Sequence, residues 1–135
     1  MVATGNHPEG GAMMSMPLWV ALGVVTLGGG IGALIRHAAV TARQPRPGQV
    51  RRRITAVNVV GAFFAGILFT IDHPLTLAIT AGLFGSLTTL STIAVWIAED
   101  IRHRELVSAV KVLLGHVLLG VPAVLFGLLA GQIAL

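Results

Sequence analysis

Four long apolar runs, at about residues 18–36, 54–71, 75–98 and 106–133, dominate this chain and leave little of its 135 residues for anything else. Each is close to the ~20 residues a helix needs to cross the roughly 30 Å hydrocarbon core of a bilayer. In lipid only a helix satisfies every backbone N–H and C=O within one segment, so the pattern predicts an all-α integral membrane protein of four transmembrane helices. Composition agrees, since 10% of the residues are charged where about a quarter is usual for a globular chain. Residues 1–16 are polar and Gly-rich, with Glu9 as their one formal charge and no basic start for a secretory signal. They are expected to form a disordered tail ahead of a single membrane domain, residues 17–135.

The runs differ inside. The first ends in Gly28, Gly29, Gly30, Gly32 and Ala33 and is closed by Arg36. Between membrane helices such small residues permit close backbone approach, so Gly29 and Gly32, with Gly61 in the second run, read as packing positions and Arg36 as an interface anchor. Gln44-Pro45-Arg46-Pro47-Gly48 reads as a loop, followed by Arg51, Arg52 and Arg53. Asp72-His73-Pro74 is a tight connection that makes the second and third spans antiparallel neighbours. The third span carries Gly82, Gly85, Ser86, Thr88, Thr89, Ser91 and Thr92 where lipid is deepest, and Pro122 interrupts the fourth.

An even number of spans puts both termini and the Asp72 connection on one side, and loops 37–53 and 99–105 on the other. All nine Lys and Arg, namely Arg36, Arg43, Arg46, Arg51, Arg52, Arg53, Arg102, Arg104 and Lys111, belong to the second side. The positive-inside rule then makes loops 37–53 and 99–105 cytoplasmic in the plasma membrane and both termini external. A chain that inserts both ways needs nearly balanced loops, so this one is expected to insert one way. Six of the nine basic residues lie between Arg36 and Arg53 beside a span, which suits topology and anionic lipid headgroups and not nucleic acid.

No Asp or Glu falls within a predicted span, which removes the usual carboxylate of a proton-coupled or cationic-drug exchanger and tells against a small multidrug-type exporter. Cysteine is absent. No nucleophile triad, phosphate loop or metal-ligand spacing appears among the histidines, so nothing points to an enzyme. What remains is neutral. Asn58 offers an amide, and Thr88, Ser91 and Thr92, spaced by three and four, share one face of the third span. Such dipoles replace part of an anion's hydration without trapping it; they equally well satisfy one another between helices. His116 either lines a path or bonds to a nearby carbonyl.

Three motifs resemble the Fluc or CrcB-type fluoride channels. Gly28-Gly29-Gly30-Ile31-Gly32-Ala33-Leu34-Ile35-Arg36 is similar to the family's GGxxGAxxR, Val57-Asn58-Val59-Val60-Gly61-Ala62-Phe63-Phe64-Ala65-Gly66 to its VNxxGxFxxG, and Gly82-Leu83-Phe84-Gly85-Ser86-Leu87-Thr88-Thr89-Leu90-Ser91-Thr92-Ile93 to its GxxGxxTTFSTF. The resemblance implies an antiparallel dimer with two pores that passively drains cytoplasmic fluoride. It also implies a third helix broken near its centre, at the glycines. Asn58 becomes a pore residue, with Thr88, Ser91, Thr92, Leu90 and Ile93 along the anion path. The carbonyls of Gly85 and Thr88 become ligands of a structural sodium ion (Na+).

Two departures accompany it. Leu90 and Ile93 stand where the family has two pore-lining phenylalanines, and they also read as ordinary apolar packing; Arg53-Ile54 replaces a Gly-Thr. With the one-sided charge, the missing rings favour one half of a heterodimer with an oppositely oriented homologue. The alternatives are a homodimer or a non-conducting structural subunit.

Overall fold

The computed structural model describes residues 16–42 and 46–134, the side chain of Pro47 excepted. The expected tail, residues 1–16, lies outside the described residues apart from Met16. Helix α1 (Leu18–Thr41) is followed by α2 (Pro47–Phe69). A third stretch is built of α3 (Pro74–Ile79), a π-helical turn (Thr80–Phe84), α4 (Gly85–Leu87) and α5 (Leu90–Arg102), and α6 (Leu106–Ala134) closes the bundle. Four stretches are long and apolar enough to cross a membrane, the third being the composite Pro74–Arg102. The fold class expected from the sequence is therefore the one observed: four spans, the third broken at its middle.

The helices overrun the predicted spans at one end. Helix α2 begins at Pro47, a proline in the first turn where its missing N–H costs nothing, so Arg51 to Arg53 are helical and not part of a loop. Helix α5 continues to Arg102, which reduces the expected loop 99–105 to His103, Arg104 and Glu105. There Arg104 takes the left-handed conformation (φ 60°). Glu105 N–H donates to Asp100 O at 2.7 Å and Arg104 N–H to Ile101 O at 3.0 Å. This is the paired hydrogen-bond pattern that ends a helix at a left-handed residue, with arginine in the place usually held by glycine.

Glycines set how closely the spans approach. Against the π-helical turn, a Cβ on Gly32 would overlap Leu83 O and Ser86 Oγ, and one on Gly82 would stand 2.6 Å from Val25 O. Gly29, expected as a packing position, is looser, with Gly82 O 4.0 Å from its would-be Cβ; Gly28 and Gly32 carry the contact. Between α2 and α6 a Cβ on Gly66 would overlap Val124 O, and one on Gly127 would overlap Phe63 O. The fourth span thus packs by glycine as tightly as the first. Most large apolar side chains face outward, Trp19 at 76% and Leu118 at 66% exposure, as expected where lipid or a partner covers them.

The charged ends gather at one end of the bundle. Arg51 donates from both terminal nitrogens to Asp100, at 3.0 and 3.3 Å, and the Ser108 hydroxyl donates to the same carboxylate at 2.7 Å. The Arg51 guanidinium lies 5.5 Å from the Trp96 ring centroid, within reach of a cation–π attraction. Arg53 donates to Val40 O at 3.2 Å and also to Ala42 O, occupying carbonyls at the end of α1 that have no partner within their own helix. These contacts tie α1, α2, α5 and α6 together through residues that the sequence presents only as loop charge.

Candidate functional site

The break in the third span falls at Thr88 and Thr89, both extended (φ −83°, ψ 133° and φ −130°, ψ 116°), and not at Gly82 or Gly85, which sit in helical turns. Two adjacent β-branched residues resist the helix, and a partner from another span completes the interruption. Thr89 N–H, which in a continuous helix reaches Gly85 O, donates instead to Asn58 Oδ1 at 3.1 Å. Because a backbone N–H requires an acceptor, this bond fixes the orientation of the Asn58 amide: oxygen inward, NH2 on the other side. Gly61, one turn along α2, leaves room for the bend, since a Cβ there would stand 2.8 Å from Thr88 Cγ2.

Beside the break lies a cleft of about 450 Å³. Asn58, Ala62 and Ala65 line it from α2. Thr80, Phe84, Gly85, Thr88, Thr89, Leu90 and Ile93 line it from the third span, and His116, Gly120 and Val124 from α6. Asn58, Thr88, Leu90 and Ile93 are therefore brought together, while Ser91 and Thr92 do not line it. The reason is the break: Thr88 is no longer in helical register with Ser91 and Thr92, so the shared face expected from their spacing does not exist. Helix α5 restarts at Leu90 and turns Leu90 and Ile93, three residues apart, toward the cleft. Ile93 is 5% exposed and Leu90 77%, so only Leu90 stands open to whatever covers the cleft. Arg36 and Gly32 lie on α1, away from it.

Most polar groups of the cleft are already committed. Thr88 Oγ1 donates to Phe84 O at 2.8 Å and Thr80 Oγ1 to Thr76 O at 2.7 Å. The hydroxyls of Thr89 and Ser91 share a hydrogen bond of 2.9 Å. His116 Nδ1 lies 2.8 Å from Val112 O; a carbonyl only accepts, so Nδ1 carries the proton and donates. His116 Nε2 lies 3.2 Å from the Thr55 hydroxyl oxygen. The same Thr55 hydroxyl donates to Arg51 O at 3.0 Å.

Thr89 and Phe84 were not legible as site residues. The Thr-Thr pair was the available signal for the first, and Phe84 gave none.

A break in the third of four spans, clamped by an asparagine on the second, coincides with a family match: the family described as CrcB-like protein, Camphor Resistance (CrcB), matches residues 23–128. The chain belongs to the CrcB family. Among its relatives, the fluoride-specific ion channel FluC 1 of Prochlorococcus marinus is 32% identical over 123 residues, covering 84% of this chain and 93% of the relative. The fluoride-specific ion channel FluC 2 of Nocardia farcinica is 33% identical over 110 residues, 76% of this chain and 79% of that one. A FluC of Acidobacterium capsulatum is 31% identical over 123 residues, 85% and 94%. No solved structure matches the chain. As a CrcB-family chain with four apolar spans, it is a multi-pass membrane protein.

Proposed function

We propose that this chain is a subunit of a passive, fluoride-selective channel in the plasma membrane, through which cytoplasmic fluoride leaves the cell. In this reading it works paired with an oppositely oriented homologue. The observation that carries the reading is Asn58. Its oxygen is held by Thr89 N–H, so two uncharged N–H donors are left to the cleft it lines. Neutral donors at an apolar cleft suit a small anion that must bind and leave. The names of the relatives supply the ion, and passive conduction assigns no catalytic group. Loops 37–53 and 99–105 are cytoplasmic in this reading, because every basic residue belongs to that side.

A structural sodium ion between the two subunits fits the backbone at the break. Gly85 O has lost Thr89 N–H to Asn58, Thr88 is extended, and the space beside Gly85 is open for 4 Å. Carbonyl oxygens released in this way are hard donors suited to a hard cation. The Gly85 and Thr88 carbonyls would hold it, and its charge would satisfy buried backbone at the centre of the assembly.

A second reading, a non-conducting subunit that completes the fold around its partner's pores, is favoured by the aliphatic Leu90 and Ile93 on the cleft. Fluoride and chloride efflux from liposomes tests both readings, using the chain alone and with a homologue of opposite loop charge. Fluoride-selective efflux that requires both chains and falls when Asn58 is replaced supports the channel subunit. Efflux from this chain alone overturns the heterodimer. Efflux from the pair that ignores Asn58 replacement leaves the structural subunit.

A further inference from the structure

We infer that Phe84 is the aromatic residue that meets the permeating anion in this chain, presenting its ring edge to the cleft outward of Asn58; the inference rests on the channel reading above. A bare anion in an apolar cleft needs positive ends to replace its water. Counting them along this cleft leaves few. The hydroxyl protons of Thr80 and Thr88 are spent on carbonyls, Thr89 shares one with Ser91, and His116 Nδ1–H is spent on Val112 O. Leu90 and Ile93 have no polarised edge. Among the described residues, the donors left are the Asn58 amide, the one hydroxyl proton that the Thr89–Ser91 bond does not use, and the C–H edge of Phe84, the one phenyl ring lining the cleft.

The ring is held for that role. Phe84 stacks on Phe64 with centroids 6.5 Å apart and 22° between planes, and Phe64 is edge-on to Phe63 at 5.4 Å and 75°. A stacked ring has one electron-rich face covered, and its positive rim lies in the plane that remains. Phe64 is 47% exposed on the outer surface, so Phe84 is the member of the pair that reaches the cleft. Its backbone is also pinned, because Phe84 O accepts both Thr88 N–H at 3.0 Å and Thr88 Oγ1–H at 2.8 Å. Phe84 precedes the break by one helical turn, which sets its Cα about 6 Å along the span from that of Thr88. An anion released by Asn58 toward the outside meets the ring edge next. Phe84 is thus a specificity-determining residue for a small, strongly hydrated anion.

The test uses single-channel recording of this chain reconstituted with its oppositely oriented homologue. The current lost in Asn58→Leu defines the share this cleft carries. Phe84→Ile, which keeps apolar bulk without a polarised edge, is expected to lower that share by about tenfold. Pentafluorophenylalanine at position 84, which keeps the ring but makes its rim negative, is expected to lower it at least as far, with the assembly still co-purifying. If Phe84→Ile leaves the share intact while Asn58→Leu removes it, the inference fails and the channel reading stands. If the pentafluoro ring conducts like the wild type and Phe84→Ile does not, bulk is at work and the inference fails. If Asn58→Leu removes no current, the channel reading of this chain fails and takes the inference with it.

Discussion

Replacing Asn58 by leucine tests the clamp on which the broken span depends. Leucine is close in volume but accepts no hydrogen bond, so Thr89 N–H loses its 3.1 Å partner. Thr89 is 8% exposed, so water is a poor substitute, and a stranded buried N–H costs about 1–3 kcal/mol. That is roughly a 5- to 150-fold loss in the folding equilibrium. The chain has one escape: Thr89 N–H returns to Gly85 O, which forces Thr88 and Thr89 into helix and straightens the span through the cleft. Either route removes conduction. The assay is titration with dodecyl sulfate in mixed micelles, followed by tryptophan fluorescence and helical content, alongside fluoride current with the partner chain. Thr89→Ala is the control, since it keeps the backbone N–H and its bond to Asn58. An Asn58→Leu protein that unfolds at the wild-type detergent fraction and carries wild-type current would refute the clamp.

Gly32→Ala forces a methyl against Leu83 O, whereas Gly23 has open space around it; the first is expected to cost about 1–3 kcal/mol and the second to be near neutral, checked by the same titration. Asp100→Ala strands Arg51 and Ser108 and is expected to cost about 1–3 kcal/mol, because the carboxylate is 8% exposed but its arginine partner is 38% exposed. Arg52→Ala, on an exposed side chain, is expected to stay within about 0.5 kcal/mol. The chain has no cysteine, so a single His103→Cys labelled by an impermeant thiol reagent in whole cells reports orientation directly: no labelling until the cells are opened is expected, and prompt labelling of intact cells overturns the cytoplasmic assignment.

The number and order of the spans were legible because lipid imposes a length and an apolarity on each helix, and both are local properties of the sequence. The site of the break was only half legible. Glycines weaken helices in water, which draws attention to Gly82 and Gly85, but in the bundle those residues provide close packing or open space and stay helical. What interrupts the span is an acceptor 31 residues away, Asn58, which competes for Thr89 N–H. A linear pattern carries no trace of that competition. The same cause undid the expected face of Thr88, Ser91 and Thr92, since spacing by three and four has meaning only within one helix. Asp100 was legible as a charge beside a span, but its pairing with Arg51, 49 residues earlier, depends on how α2 and α5 cross.

That pairing bears on the proposal that this chain works with an oppositely oriented partner. Orientation follows from where the basic residues lie, and a small change of loop charge ordinarily suffices to rebalance a chain. Here Arg51 holds a buried carboxylate and Arg53 occupies the free carbonyls of α1, so two of the charges on which the proposed orientation rests are also structural. Arg52 is the exposed one of the three, and removing it alone shifts the bias by a single charge. Reversing the chain therefore requires new basic residues at the opposite end, because those at this end cannot be withdrawn without loosening the bundle. In the proposed reading, an antiparallel pair is reached more readily by a second chain with the opposite bias than by two copies of this one.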